Sequence, residues 1–124
     1  MKELILIGAN FRSASACERT HLALSSDQAR DLHASIAESI SDAEFCMVST
    51  CNRAEFFLLA PTTGDTRFVL YDVIGRHCPH FEQLRENGQI LHKQGIEAYE
   101  HLLRVTCGLE SMVLGDTQIV QQVR

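Results

Sequence analysis

Three residues whose side chains can react or bind follow one another at Cys51, Asn52 and Arg53. A cysteine is a useful nucleophile only as its thiolate, which needs nearby positive charge, hydrogen-bond donors and some access to water. Arg53 supplies the charge, Asn52 supplies an amide donor, and Thr50 adds a hydroxyl on the other side. The spacing therefore predicts a candidate nucleophile at Cys51. A structural cysteine beside a solvated arginine remains the alternative at this stage.

His101 is the second candidate. A predicted helix from Ile96 to Cys107 places it on one side with Glu97 and Arg104. The other side holds the apolar set, which is Tyr99, Leu102, Leu103 and Thr106. The polar side is either solvated or directed into a cleft. The next segment, from Gly108 to Gln118, favours the cleft, because its glycines, its polar side chains and a predicted helix N-terminus suit a polar or anionic group.

Three other chemistries fit the sequence less well. A phosphatase-like loop needs Arg six residues after Cys, but those positions are Phe57 after Cys51 and Asn52 after Cys46. The run from His77 to His80 resembles a metal-ligand cluster, yet its proline breaks the helix that would align the histidines. No Gly-rich nucleotide motif occurs. The sequence therefore predicts no metal site and no nucleotide site of its own.

Composition limits the class of protein. The 124 residues are enough for one domain, and 45% hydrophobic with 22% charged residues is ordinary for a globular chain. The net charge of −5 argues against nucleic-acid binding mainly through phosphates. Five cysteines without a CxxC pair indicate a reducing compartment. Because no apolar run near the start is long enough for a membrane span or a signal peptide, we expect a cytoplasmic protein.

Hydrophobic spacing and capping signals predict the following elements. Strands are expected at Glu3 to Asn10, Glu44 to Thr50, Ala54 to Ala60 and Gly88 to Lys93, and helices at Ser15 to Leu24, Ser25 to Ser41, Arg67 to Cys78 and Ile96 to Cys107. The two middle strands form a hairpin whose tip is the Cys51 motif. Together they predict an α+β fold, a largely antiparallel sheet with helices packed on one face, as in a ferredoxin-like sandwich.

The C-terminal segment lacks a stop signal. Asp116 is a good helix N-cap, and an apolar stripe begins after it, but the sequence ends at Arg124 with no C-terminal cap. We therefore expect the natural protein to continue beyond this residue.

Two motifs carry a resemblance to a known family. The first reads S-T-C-N-R-x-E, and the second, about fifty residues later, reads H-L-x-R-V-x-x-G-L-x-S-M-V-L-G-D-x-Q-I. With the opening Gly8-Ala-Asn-x-Arg12, they make the whole chain resemble the catalytic, N-terminal domain of glutamyl-tRNA reductase. That enzyme begins five-carbon tetrapyrrole synthesis, and the match makes the hairpin tip an active-site loop.

The resemblance implies roles for particular residues. Cys51 would be the nucleophile that attacks the ester of glutamyl-tRNA to form a thioester, and Arg53 would hold the substrate glutamate. His101 matches the active-site histidine of the family, in a role that its position leaves open. Other positions match substrate-contacting ones, namely Thr50, Asn52, Ser111, Asp116, Thr117, Gln118 and Gln122. Asp116 stands where relatives usually have Glu, and Thr117 where many have Pro.

The resemblance also implies components outside this chain. NADPH would reduce the thioester to glutamate 1-semialdehyde, and a separate domain would bind it, so residues 1–124 would be a catalytic domain truncated before the NADPH-binding and dimerisation domains. Alone, the chain would be limited to thioester formation and slow deacylation. The expected partners are glutamyl-tRNA, a second subunit and glutamate-1-semialdehyde aminomutase, with no membrane contact. The alternative is a ferredoxin-like regulatory or ligand-binding module with a structural cysteine.

Overall fold

The computed structural model describes residues 2–50, 52–61 and 66–107. They form four strands and five α-helices in the order β1, α1, α2, β2, β3, α3, α4, β4, α5. The strands are β1 (Lys2–Asn10), β2 (Glu44–Thr50), β3 (Arg53–Pro61) and β4 (Leu91–Gln94). The helices are α1 (Ala16–Arg19), α2 (Ser26–Ser39), α3 (Thr66–His77), α4 (Phe81–Glu86) and α5 (Ile96–Thr106).

The strands form one antiparallel sheet in the order β2-β3-β1-β4. The two central strands, β1 and β3, pair along their whole length, from Lys2 opposite Pro61 to Asn10 opposite Arg53. The predicted α+β class and antiparallel sheet are confirmed, and β4 is an edge strand as predicted. Two helices lie between β1 and β2, two lie between β3 and β4, and α5 follows the last strand. The ferredoxin-like detail stays a prediction.

Helices cover both faces of the sheet, which corrects the prediction of helices on one face. Alternate residues of a strand point to opposite faces. On one face, Ile7 and Phe56 pack with Leu32 of α2 and Leu70 of α3 in the larger core. On the other face lies a smaller core of strand residues packed against α5, namely Leu4, Leu6, Val48, Phe57, Ala98 and Val105. The amphipathic face of α5 therefore needs a second apolar surface, and the sheet provides one.

Capping side chains set the first two helices. The side chains of Ser15 and Ser25 each accept a hydrogen bond from the backbone N–H three positions later, and the side chain of that residue accepts one from the cap N–H. These two capping boxes confirm the predicted helix starts. The first helix is shorter than predicted. It ends at Arg19, and a 3-10 turn at Thr20–Leu22 follows, which buries Leu22 in the larger core.

The region around α4 departs most from prediction. The sequence analysis predicted no helix there, yet α4 forms and buries Phe81 and Leu84. The strand expected from Gly88 begins only at Leu91, because Gly88 has φ +72 directly after α4 and turns the chain. Within the described ranges, no helix is long and apolar enough to cross a membrane.

Candidate functional site

The hairpin tip is fastened to the end of the central strand β1. Thr50 and Arg53 are paired across the hairpin, so that only positions 51 and 52 separate them in the sequence. The backbone N–H of Asn52 donates to Thr50 Oγ1 over 3.1 Å, and its carbonyl accepts from the N–H of Phe11 over 2.9 Å. Asn52 is buried. These contacts hold the described part of the tip against the sheet.

The turn after β1 is fixed by a buried asparagine. Asn10 lies opposite Arg53 in the sheet, and its Oδ1 accepts from the backbone N–H groups of Arg12, at 3.0 Å, and Ser13, at 3.2 Å. An asparagine that bonds two residues ahead forms a compact turn that substitutes for regular backbone pairing. The chain therefore leaves β1 in a defined direction beside the hairpin tip.

Arg53 and Glu55 form a fully buried ion pair. They are two residues apart on β3, so both side chains point to the face that α5 covers. Arg53 Nη1 donates to Glu55 Oε1 over 2.9 Å, and both side chains are 0% exposed. The solvated arginine of the alternative interpretation is therefore wrong, because this guanidinium is inside the molecule and bound to a carboxylate.

His101 joins the same carboxylate from the helix α5. Its Nε2 lies 2.6 Å from Glu55 Oε2, and the residue is only 4% exposed. Each oxygen of Glu55 thus binds a different predicted site residue, one from a strand and one from a helix. We call Arg53, Glu55 and His101 the charged cluster.

The predicted division of α5 into a polar and an apolar side is wrong. The buried side holds Ala98, His101 and Val105, at intervals of three and four residues. Tyr99 and Leu103, which were placed on the apolar side, are 50% and 64% exposed. A prediction from hydrophobicity alone places His101 on the exposed side of the helix. The histidine is buried because the sheet surface beneath α5 carries Glu55, a polar partner, as well as apolar side chains.

Gly8 allows the close approach of β1 to the charged cluster. It lies opposite Glu55, and a Cβ placed on it would lie 2.4 Å from the carbonyl oxygen of Ala54 and 2.7 Å from Glu55 Cα. Both distances are far below an ordinary contact. A side chain at this position would therefore force apart the two strands that support Glu55.

A cleft of about 230 Å³ adjoins the hairpin tip. Thr50, Arg53 and Ala54 line one side, and α1 with the following turn lines the other through Ala16, Arg19, Thr20 and Ala23. Arg19 is buried, and its Nη1 donates to the carbonyl of Ala14 over 2.7 Å. This second arginine was not predicted, because nothing in the spacing of a short helix distinguishes it from a surface charge.

Several predicted site residues lie outside the described part of the chain. These are Cys51, Ser111, Asp116, Thr117, Gln118 and Gln122. Of the described ones, Thr50, Asn52 and Arg53 lie together at the tip, and Arg53 and His101 meet at Glu55. Glu55 is the glutamate of the S-T-C-N-R-x-E motif, and the sequence alone predicted no site role for it. Strand alternation was the available signal, since residues 53 and 55 share a face.

The histidines around Pro79 have other contacts. His77 Nε2 lies 2.8 Å from Ser35 Oγ, and the ring of His80 packs against that of His21 at 4.3 Å. Cys78 between them is buried in the larger core. Over residues 2–50, 52–61 and 66–107, no group of three His, Cys, Asp or Glu side chains is arranged to hold a metal ion.

The fold and the charged cluster together define a class of protein. It is an α+β domain in which an arginine, just after a cysteine-bearing hairpin tip, and a histidine on a helix both bind one buried carboxylate. Ionisable groups gathered in this way are typical of functional sites in enzymes. The family model for "Glutamyl-tRNAGlu reductase, N-terminal domain" matches residues 7–124. The chain therefore belongs to the glutamyl-tRNA reductase family and corresponds to its N-terminal domain.

Curated relatives agree with this assignment. The chain is 34% identical over 122 residues to a glutamyl-tRNA reductase of Staphylococcus carnosus (strain TM300), with 98% of the chain covered. It is 36% identical over 121 residues to one of Staphylococcus aureus (strain JH9), with 97% covered. In both comparisons the match covers 27% of the relative. The chain thus spans about a quarter of the length of these relatives.

Proposed function

We propose that this chain is the domain of a glutamyl-tRNA reductase that takes the glutamyl group from its tRNA onto Cys51. One observation carries the proposal beyond family membership. Arg53 and His101, which are 48 positions apart in the sequence and lie on different elements, meet at one buried carboxylate. Burial of three ionisable groups is expensive for a purely structural purpose, and a functional site is the usual reason for it.

The proposed step is an acyl transfer. The thiolate sulfur of Cys51 attacks the carbonyl carbon of the ester that joins glutamate to the terminal ribose of the tRNA. A carbon–sulfur bond forms, the ester carbon–oxygen bond breaks, and the ribose oxygen leaves with the proton that the thiol has lost. The product is an enzyme thioester, whose carbonyl is less resonance-stabilised than that of an ester and accepts hydride more readily.

The contacts of His101 restrict how it can assist. A carboxylate only accepts hydrogen bonds, so Nε2 carries the proton in its contact with Glu55. That leaves Nδ1 as the ring nitrogen that can accept a proton from the thiol and return it to the leaving ribose oxygen. We therefore propose His101 as a general acid and base that works through Nδ1.

Arg53 is proposed to recognise the substrate glutamate. A guanidinium has five N–H donors in a planar fork that matches a carboxylate, and one of them is directed to Glu55. Its position two residues after Cys51 in the sequence supports this role. Thr50, Asn52, Ser111, Asp116, Thr117, Gln118 and Gln122 remain the proposed further contacts of the glutamyl group.

Bound elsewhere in the enzyme, NADPH would supply the hydride for reduction of the thioester to glutamate 1-semialdehyde, which is used in tetrapyrrole synthesis. The sequence has no Gly-rich nucleotide motif, so we assign none of its residues to NADPH and derive no step of this chain through it. A second subunit and glutamate-1-semialdehyde aminomutase are the proposed protein partners.

Trapping the thioester tests the proposal. The protein is incubated with glutamyl-tRNA without NADPH, and its intact mass is measured after rapid acid quenching. We expect a glutamyl adduct that hydroxylamine removes, that Cys51→Ser abolishes, and that the matched variant of an exposed cysteine, Cys107→Ser, retains. Absence of both the adduct and tRNA release would contradict the proposal and favour a binding module with a structural cysteine.

A further inference from the structure

We propose that Glu55 is a positioning residue that sets the orientation of both Arg53 and His101 for the acyl transfer. The inference rests on the proposed function and adds a residue to it. Its basis is that the two oxygens of a single carboxylate are divided between these two side chains, at 2.9 Å and 2.6 Å.

The contacts of Glu55 are more specific than neutralisation of a buried charge requires. Arg53 and Glu55 already form a pair, since they lie on one strand two residues apart. The second contact, to His101, reaches across the space between the sheet and α5. A carboxylate that binds two donors through separate oxygens restricts the angle of each, so Glu55 contributes to the orientation of both the guanidinium and the imidazole.

The backbone around Glu55 is built to hold it still. It is a central residue of β3, paired with Gly8 on one side and with Val48 on the other. A Cβ at Gly8 would collide with this part of β3, so the strand has no room to shift. Rigid support from both neighbouring strands is what a group needs if it is to orient others to within a fraction of an ångström.

The proposed effect on the reaction follows from the two contacts. Through His101, Glu55 keeps the proton on Nε2 and turns Nδ1 towards the reacting atoms, as the carboxylate of a hydrolase triad does for its histidine. Through Arg53, it fixes the part of the guanidinium that faces the substrate carboxylate. Loss of Glu55 should therefore lower kcat through the histidine and raise KM through the arginine.

The test compares three variants of the protein in single-turnover acylation by glutamyl-tRNA, where the rate constant at saturation takes the place of kcat and the half-saturating concentration that of KM. Glu55→Gln keeps the shape, but its amide can accept from only one of the two donors, and we expect a 10- to 100-fold loss in kcat/KM, divided between kcat and KM. Glu55→Asp keeps both oxygens and should recover part of the loss. Glu44→Gln, on the neighbouring strand and exposed, is the matched control and should change neither constant.

A double-mutant cycle separates positioning from a general structural effect. If Glu55 acts on kcat through His101, adding Glu55→Gln to a His101→Gln protein should cause less than about a threefold further loss in kcat, while the rise in KM through Arg53 remains. The same factor of loss in kcat in both backgrounds would overturn the proposal, and so would wild-type constants in a folded Glu55→Gln protein. If Glu55→Gln does not fold, Glu55→Asp replaces it in the same cycle, and the same two outcomes support or overturn the proposal.

A spectroscopic measurement keeps this inference distinct from the proposed function. Nitrogen NMR of the histidines in the free protein should show His101 with its proton on Nε2, and Glu55→Gln or Glu55→Asp should change that ring's signals while Glu44→Gln does not. Failure of the wild type to form a Cys51 adduct would contradict the proposed function. Unchanged His101 signals in the Glu55 variants would contradict the positioning role.

Discussion

At the scale of single residues, the function of a side chain depends on its contacts as well as on its own chemistry. The types and spacing of residues 50 to 53 predicted a candidate site, and helical spacing predicted His101. Neither pattern predicted that Arg53 is fully buried or that it meets His101 at Glu55. Such contacts depend on which face of a strand meets which face of a helix, and a list of side-chain types does not contain that information.

The cysteines give a prediction at this scale. Burial raises the pKa of the Cys78 thiol to about 11, so at pH 8 only about one molecule in a thousand carries the thiolate. We expect iodoacetamide to modify Cys51 first, the exposed Cys17 and Cys107 later, and Cys78 last. Peptide mapping by mass spectrometry over a time course gives the order.

Denatured protein is the control, because all five thiols should then react at similar rates. Early modification of Cys78 in the folded protein would contradict its burial. Modification of Cys51 no faster than that of Cys17 would contradict an activated thiol at the hairpin tip.

At the scale of elements, the sequence predicted the longer helices and strands correctly from their hydrophobic periodicity, but it predicted several of their ends less accurately. β2 was predicted with its observed bounds, and α2 began at its capping box because Ser25 and Gln28 are a local signal. Helix α4 was missed because six residues are too few to show a period, and its start at His80 uses a left-handed conformation with φ 71 instead of a capping side chain. Its formation depends on burial of Phe81 and Leu84, which is a tertiary effect.

The junction of α3 with the edge strand β4 gives a prediction about pH. Tyr71 and His92 are bonded, with the phenol oxygen 2.8 Å from His92 Nδ1. Burial, with a smaller effect from the charge of Arg67, lowers the pKa of His92 below its ordinary value of 6.5, although a hydrogen bond to Gln94 opposes this. The folded state therefore favours the neutral ring.

The sign of the effect on stability follows from linkage. As the pH falls below about 6.5, the unfolded chain binds a proton at this histidine before the folded chain does. His92 therefore lowers the stability of the folded state at acidic pH and has no such effect at higher pH. Urea unfolding at pH 8 and at pH 5.5 measures it. The wild type should lose more stability between these values than His92→Gln, and equal losses would contradict the prediction.

At the scale of the whole molecule, the sheet separates two cores of unequal size. The larger lies under α2, α3 and α4, and the smaller lies under α5. The charged cluster lies on the side of the smaller core, so α5 has two roles: it covers that face of the sheet and carries His101. The sequence predicted α1, α2, α3 and α5 but placed them all on one face, because each helical pattern indicates a buried side without indicating which surface buries it.

Two neighbouring phenylalanines test this division. Phe56 belongs to the larger core and Phe57 to the smaller, where its ring lies 6.4 Å from that of His101. We expect Phe56→Ala to lower the free energy of unfolding by about 3 to 5 kcal/mol. Phe57→Ala should mainly loosen α5 and slow acylation through the misplaced histidine.

Hydrogen exchange followed by mass spectrometry distinguishes the two variants. Phe57→Ala should speed exchange in α5 while α2 stays protected, and Phe56→Ala should speed exchange in α2 and α3. If Phe57→Ala affected α2 and α5 alike, the two cores would unfold as one unit, contrary to the prediction.

Because side chains alternate along β3, the strand should tolerate substitutions better than the insertion or deletion of a residue. Arg53, Glu55 and Phe57 face α5, whereas Ala54, Phe56 and Leu58 face the larger core. A point substitution in this strand alters one side chain, but loss or gain of a single codon near its start would exchange the two sets and drive an arginine and a glutamate into an interior built for hydrocarbon. Insertion or deletion of one codon in this strand should therefore prevent folding, even at positions where many single substitutions are tolerated.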